Sequence, residues 1–199
     1  MQSPITIRLG RRARARIADN GLRALDVAIV PAAAGGPKGL ILHQLDCWLF
    51  GDFLARAPRP RHFVGASIGA WRMAAAVFSD PVATQRRLVR EYVGQRYPDK
   101  PETAHVSRTC RALLDAVLDE QDAQLLRHKD HSLPVLAVRG IGALAQPGKW
   151  RDRRGFPHYG QDHAARMRDW RRAIAESERM AAAFARWAEQ PDLRQAGDL

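Results

Sequence analysis

The stretch 26–73 constrains this chain more than any other, because the order apolar run, glycine turn, helix occurs twice within it. Residues 26–31 (DVAIVP) are apolar and β-branched, the composition of a buried strand. They lead into Ala34-Gly35-Gly36-Pro37-Lys38-Gly39 and then into helical composition over 40–50. Residues 62–64 (HFV) form a second, shorter strand, which leads into Gly65-Ala66-Ser67-Ile68-Gly69 and a second helix over 70–78. Two such units predict an α/β fold with a small, mostly parallel sheet. Both glycine turns should then lie at one edge of that sheet, where α/β proteins build their sites.

The second turn has a specific chemical use. Gly-x-Ser-x-Gly between a strand and a helix is a nucleophile elbow, a strained turn that projects the serine hydroxyl clear of the backbone. Gly65 and Gly69 keep the turn's neighbours small, and Ser67 is the candidate nucleophile. A helix starting at Ile68 aims unpaired N–H groups at the anion that forms when the serine attacks an ester. The glycine run before Leu40 supplies a second set of such groups at a helix start. Nucleotide-binding readings of that run fail. A phosphate loop needs Ser or Thr after the lysine, and Lys38 is followed by Gly39. A dinucleotide fingerprint needs glycine where Ala34 stands.

In this order and at these turns, the two runs resemble those of patatin-like lipid acyl hydrolases. That family carries a Gly-Gly-Gly-x-Arg/Lys-Gly oxyanion loop after the first strand and a Gly-x-Ser-x-Gly elbow one helix later. It works with a Ser–Asp dyad whose aspartate lies in a late Asp-Gly-Gly/Ala segment. The resemblance implies a three-layer α/β/α fold with a small, mostly parallel sheet. Ser67 would be the nucleophile, Gly35, Gly36 and Lys38 the oxyanion loop, and Gly65 and Gly69 the elbow glycines. It also implies an acyl-ester substrate of lipid type and no metal or organic cofactor. Three departures stand out. Ala34 replaces the first loop glycine, Pro37 has no N–H to donate, and no aspartate in the chain is followed by glycine. The resemblance covers 26–140 and resumes less specifically over 153–189, as though the family's middle, with its aspartate and several strands, were missing near Trp150 and Arg151.

The rest of the chain fits around this centre. Residues 11–20 form a short basic helix ended by Gly21, and Asp80-Pro81 opens a helix running to about 96. Another helix follows over 102–120 with Val106, Cys110, Leu113, Leu114, Val117 and Leu118 on one stripe, and residues 134–139 (PVLAVR) are a third strand. A Gly-, Pro- and Arg-rich break over 140–160 separates a domain over 1–150 from a long helix within 151–199 that packs on it. His43 is expected in the core or at its rim rather than as a catalytic group, and Cys47 and Cys110 as buried free thiols suited to a reducing cytosol.

No apolar run is long enough to span a membrane, and the N-terminus has no apolar signal core, so a cytoplasmic protein is expected. The formal charge of +11 fits either a solvated, arginine-rich surface or peripheral contact with an anionic membrane. The arginines are dispersed and no nucleic-acid module is visible, so no nucleic-acid partner is expected. Two other readings of Ser67 remain open. One is a Ser-His-Asp esterase using Asp130 or Asp152 with His158 or His163. The other is a degenerate family member that binds lipid or a partner without turnover.

Overall fold

The computed structural model describes residues 5–98, 101–118, 129–139, 141 and 163–198. Its elements in chain order are β1 (Ile7–Leu9), α1 (Arg11–Asn20), β2 (Ile29–Ala32), α2 (His43–Trp48), β3 (Arg61–Ala66) and α3 (Ile68–Ala75). They continue with α4 (Pro81–Gly94), α5 (Thr103–Leu118), β4 (His131–Ser132), β5 (Val135–Leu136), α6 (His163–Glu189) and β6 (Ala196–Asp198). The α/β expectation holds. β3 is the central strand, flanked in parallel by β2 on one side and by β4 and β5 on the other.

Alternation along the strands decides which face is covered. Val30, Ala32, Phe63 and Gly65 turn toward α3 and the segment after α2, where Phe63 packs with Phe50, Phe53, Leu54, Met73 and Val77. Phe50 meets Phe63 edge to face at 5.4 Å. The opposite face carries Ile29, Pro31, His62 and Leu136, all exposed. Among the described residues the sheet is therefore covered on one face. Pro31 is tolerated in β2 because that strand is an edge and needs no outward N–H.

Several boundaries differ from the sequence reading, each for a local reason. The first strand starts at Ile29 because Ala24–Asp26 closes a 3-10 turn, with the Asp26 carboxylate held by Arg16 and Arg23. The helix expected over 40–50 is compound. A 3-10 turn over Gly36–Leu42 leads into α2, and a π-helical turn over Leu49–Phe53 leaves it, with Gly51 pressed against Val82 of α4. The third strand shrinks to β5, preceded by β4. Pro134 separates the two, and its carbonyl accepts from the Gly65 N–H at 3.0 Å. Cys110 is exposed rather than buried and Cys47 is half-buried, while His43 is in the core as expected.

Two further features hold the chain together. The N- and C-terminal strands pair in parallel, Ile7 with Ala196 through Leu9 with Asp198, and Arg14 donates to the carbonyls of Leu193 and Ala196. The core beneath them is Leu9, Ile17, Trp187 and Ala196. At the start of β3 the buried Arg61 guanidinium donates to the carbonyls of Val27, Ala24 and Ala57 at 3.0, 3.1 and 2.8 Å. It joins the 24–27 turn to the loop at Ala57 without a carboxylate. The C-terminal helix α6 packs on α2 through a Trp48–Phe184 edge contact at 5.6 Å, and the domain boundary expected at 150 lies outside the described residues.

The face assignment predicts a large asymmetry in urea unfolding. Phe63→Ala should cost about 3–5 kcal/mol, since it empties the covered face. Ile29→Thr on the open face should cost less than about 1 kcal/mol. Equal costs would mean that both faces are packed.

Candidate active site

β3 runs straight into the turn that carries Ser67. The residue takes φ 52° and ψ −126°, and among the described residues it is the one non-glycine with a positive φ. Such a conformation costs about 1–3 kcal/mol and persists only where the surroundings enforce it. The surroundings here are backbone. A Cβ on Gly65 would sit 2.6 Å from the Ala70 nitrogen, and one on Gly69 would sit 2.6 Å from the Ala32 carbonyl carbon and 2.8 Å from the Ala33 oxygen. α3 thus lies directly on β2 and β3 with no room for a side chain between. Ser67 is exposed, and its side chain does not cap α3, so the hydroxyl is presented outward at the start of the helix.

The glycine loop reaches the same place. β2 and β3 are in parallel register with Ala32 beside Gly65, so the segments leaving them emerge at one edge. Gly36 adopts a left-handed φ of 56°. A Cβ on Gly39 would fall 2.7 Å from Ile68 Cγ2, which presses the end of the loop onto the residue that follows Ser67. Leu40 and Ile68 share one buried cluster with Val89. Lys38 is exposed at this edge.

The segments that leave the strands at this edge carry no described carboxylate. They are residues 33–39, Ser67 and residues 137–139 after β5, and these contain Lys38 and Arg139 but no Asp or Glu. Asp130 stands at the other end of the sheet, where its carbonyl accepts from the Arg61 N–H at 3.0 Å. Ser67 lies six positions beyond Arg61 along β3, about 20 Å at the usual strand rise. Asp130 therefore cannot serve Ser67 in this structure. His62 is engaged with Ser132 Oγ at 2.6 Å on the open face. Asp152 and His158 lie outside the described residues, and so does the side chain of His163. A cavity of about 460 Å³ lined by Phe50, Leu54, Phe63, Val77 and Phe78 opens at the Arg61 end, so it is not the acyl pocket of Ser67. Among the described residues no group of three or more His, Cys, Asp or Glu is placed to hold a metal ion.

Behind the edge is a buried polar cluster that the sequence reading missed. Asp46 of α2 and Arg72 of α3 form a two-bonded ion pair, with Gln85 and Ser177 buried nearby. Its signal was one carboxylate and one guanidinium in mostly apolar helical stretches, LILHQLDCWLF and GAWRMAAA. Burial pushes the Asp46 carboxyl up against the opposing pull of Arg72. His43 and Cys47 lie one turn apart on α2, with Sγ 3.8 Å from Nδ1. Burial and then Arg86 lower the imidazole, and burial raises the thiol to about 11. A neutral imidazole beside a protonated thiol is not an activated nucleophile.

Comparison with protein-family models, with curated proteins and with solved structures returned no match to this chain. The site's meaning therefore rests on its geometry and chemistry.

Two measurements check that geometry without requiring activity. Ser67→Gly should be more stable than Ser67→Ala by about 1 kcal/mol, because glycine relieves the positive φ. Gly69→Ala should cost about 3 kcal/mol or more, because its methyl meets the Ala32 carbonyl. In native protein at pH 8, iodoacetamide should modify the exposed Cys110 and spare Cys47 until the chain unfolds. A thiol at about 11 is ionised in only about one molecule in a thousand at that pH.

Proposed function

We propose that this chain is a patatin-like serine acyl-ester hydrolase acting on lipid substrates, of the phospholipase A or esterase type. The observation that carries the reading is the strained, exposed Ser67 at a strand–turn–helix, beside a glycine loop that ends on Ile68. In this reading Ser67 Oγ attacks the ester carbonyl, and its proton passes to a base. The carbonyl π pair moves to oxygen, and the N–H groups of Ile68 and of Gly35, Gly36 or Lys38 stabilise that oxyanion. Collapse expels the alcohol, and water then releases the acid from the serine. Lys38, Arg139 and the net charge of +11 would favour an anionic head group or membrane surface. We place the protein in the cytoplasm, peripheral to a membrane. Among the described residues no helix is long and apolar enough to cross one.

A second reading has its own support. Ser67 Oγ makes no hydrogen bond among the described residues, and the segments leaving the strands beside it carry no described carboxylate. A serine without an adjacent base is a weak nucleophile, and general-base assistance is worth ~10²–10⁴-fold. The chain as it stands is thus expected to turn over slowly or to act as a lipid-binding relative.

Hydrolysis of a short-chain nitrophenyl ester by wild type and by Ser67→Ala tests both. Slow turnover, above background and lost in Ser67→Ala, is expected. Robust turnover lost in Ser67→Ala would identify a working base elsewhere in the chain. Equal rates in the two proteins would reject Ser67 as nucleophile.

A further inference from the structure

We infer that the buried Asp46–Arg72 pair is a positioning device that sets Ser67 against the glycine loop, an inference resting on the proposed role of Ser67. The two residues belong to the two helices that begin at the two halves of the site. Arg72 lies five residues into the chain after Ser67, on α3. Asp46 lies on α2, which continues the 3-10 turn that starts at Gly36. Arg72 Nε donates to Asp46 Oδ2 at 2.6 Å and Nη2 donates to Oδ1 at 2.7 Å. Both side chains are under a tenth exposed. A two-bonded guanidinium–carboxylate fork fixes both separation and angle, which a single contact or a packed apolar pair does not.

The fork is itself anchored from both sides. Gln85 of α4, 1% exposed, donates to the Arg72 carbonyl at 2.8 Å. Ser177 of α6, 2% exposed, accepts from the Gln44 N–H at 3.1 Å, two residues before Asp46. Four helices thus meet on one buried polar line one to two turns behind the nucleophile. Stability alone does not call for such an arrangement. Taking both charges out of water is costly, and apolar pairs of similar volume are often as stable. What an apolar pair would lose is the fixed relation between α2 and α3, and misplacement of about 1 Å can cost ~10²-fold in reactivity.

The test compares wild type with Arg72→Lys and with the apolar pair Asp46→Leu with Arg72→Met. Three quantities are read: urea unfolding, amide hydrogen exchange resolved by segment, and the rate at which a fluorophosphonate labels Ser67. Expected are cooperative unfolding, exchange at least about tenfold faster in residues 33–40 and 66–71 relative to α1 and α5, and labelling slowed by at least about tenfold. Should the apolar pair fail to fold, Arg72→Lys decides alone, since it keeps the charge and removes the fork. Unchanged exchange in the two segments, or a uniform rise along the whole chain, would overturn the positioning role. If wild type itself does not label, the hydrolase reading fails, while the exchange pattern still decides whether the pair sets the two segments.

Discussion

The closest constraint in the molecule is the contact of α3 with the strands it crosses, backbone against backbone. At Gly65 the strand touches the helix at Ala70, and at Gly69 the helix touches the end of β2 at Ala32 and Ala33. A chain that must turn from β3 into a helix this close has few conformations for the residue between. The positive φ of Ser67 is the result, so its strain is a property of the packing rather than of serine. The same closeness brings the glycine loop to Ile68, with Gly39 as the third point where a side chain has no room. Ser67, the helix start and the glycine loop are therefore placed by one steric condition.

Buried cations extend that condition through the rest of the layer. Arg72 answers a carboxylate, and Arg61 answers backbone carbonyls at the opposite end of β3. Each joins segments that the sheet ladder does not reach, and each would leave costly unpaired partners if removed. The strands are short, and among the described residues one sheet face is covered, so these polar ties carry a larger share of the geometry than in a fully layered sheet. α6 contributes in the same way, by a tryptophan–phenylalanine contact and by one serine hydroxyl on an α2 amide.

The core of the site was legible in the sequence because steric necessity leaves a residue signature. Gly65, Ser67 and Gly69 could be read in order, and so could the loop glycines and the strands before them, since Gly65 and Gly69 face backbone with no room for a Cβ and Gly36 takes a positive φ. The Asp80-Pro81 start of α4 was equally plain, and the Ala83 N–H indeed donates to the Asp80 carboxylate at 2.9 Å. What could not be read depends on partners far away in the chain. β1 and β6 are three residues each and exist through each other, 189 positions apart. The fork between Asp46 and Arg72 shows in sequence only as two stray charges. The run 134–139 looks like one strand yet pairs only at Val135 and Leu136, and Cys110 lies on an apolar stripe whose neighbour Leu113 is buried while it is not. In each case tertiary placement, rather than local pattern, made the decision.

If Ser67 and the glycine loop form one oxyanion site, an alkyl fluorophosphonate will trap it. A crystal structure of the reacted protein is then expected to show phosphorus bonded to Ser67 Oγ, with one phosphonyl oxygen about 3 Å from the Ile68 nitrogen and from a main-chain nitrogen of Gly35, Gly36 or Lys38. An adduct whose oxygens face solvent, away from those amides, or an adduct on another residue, would contradict a shared site.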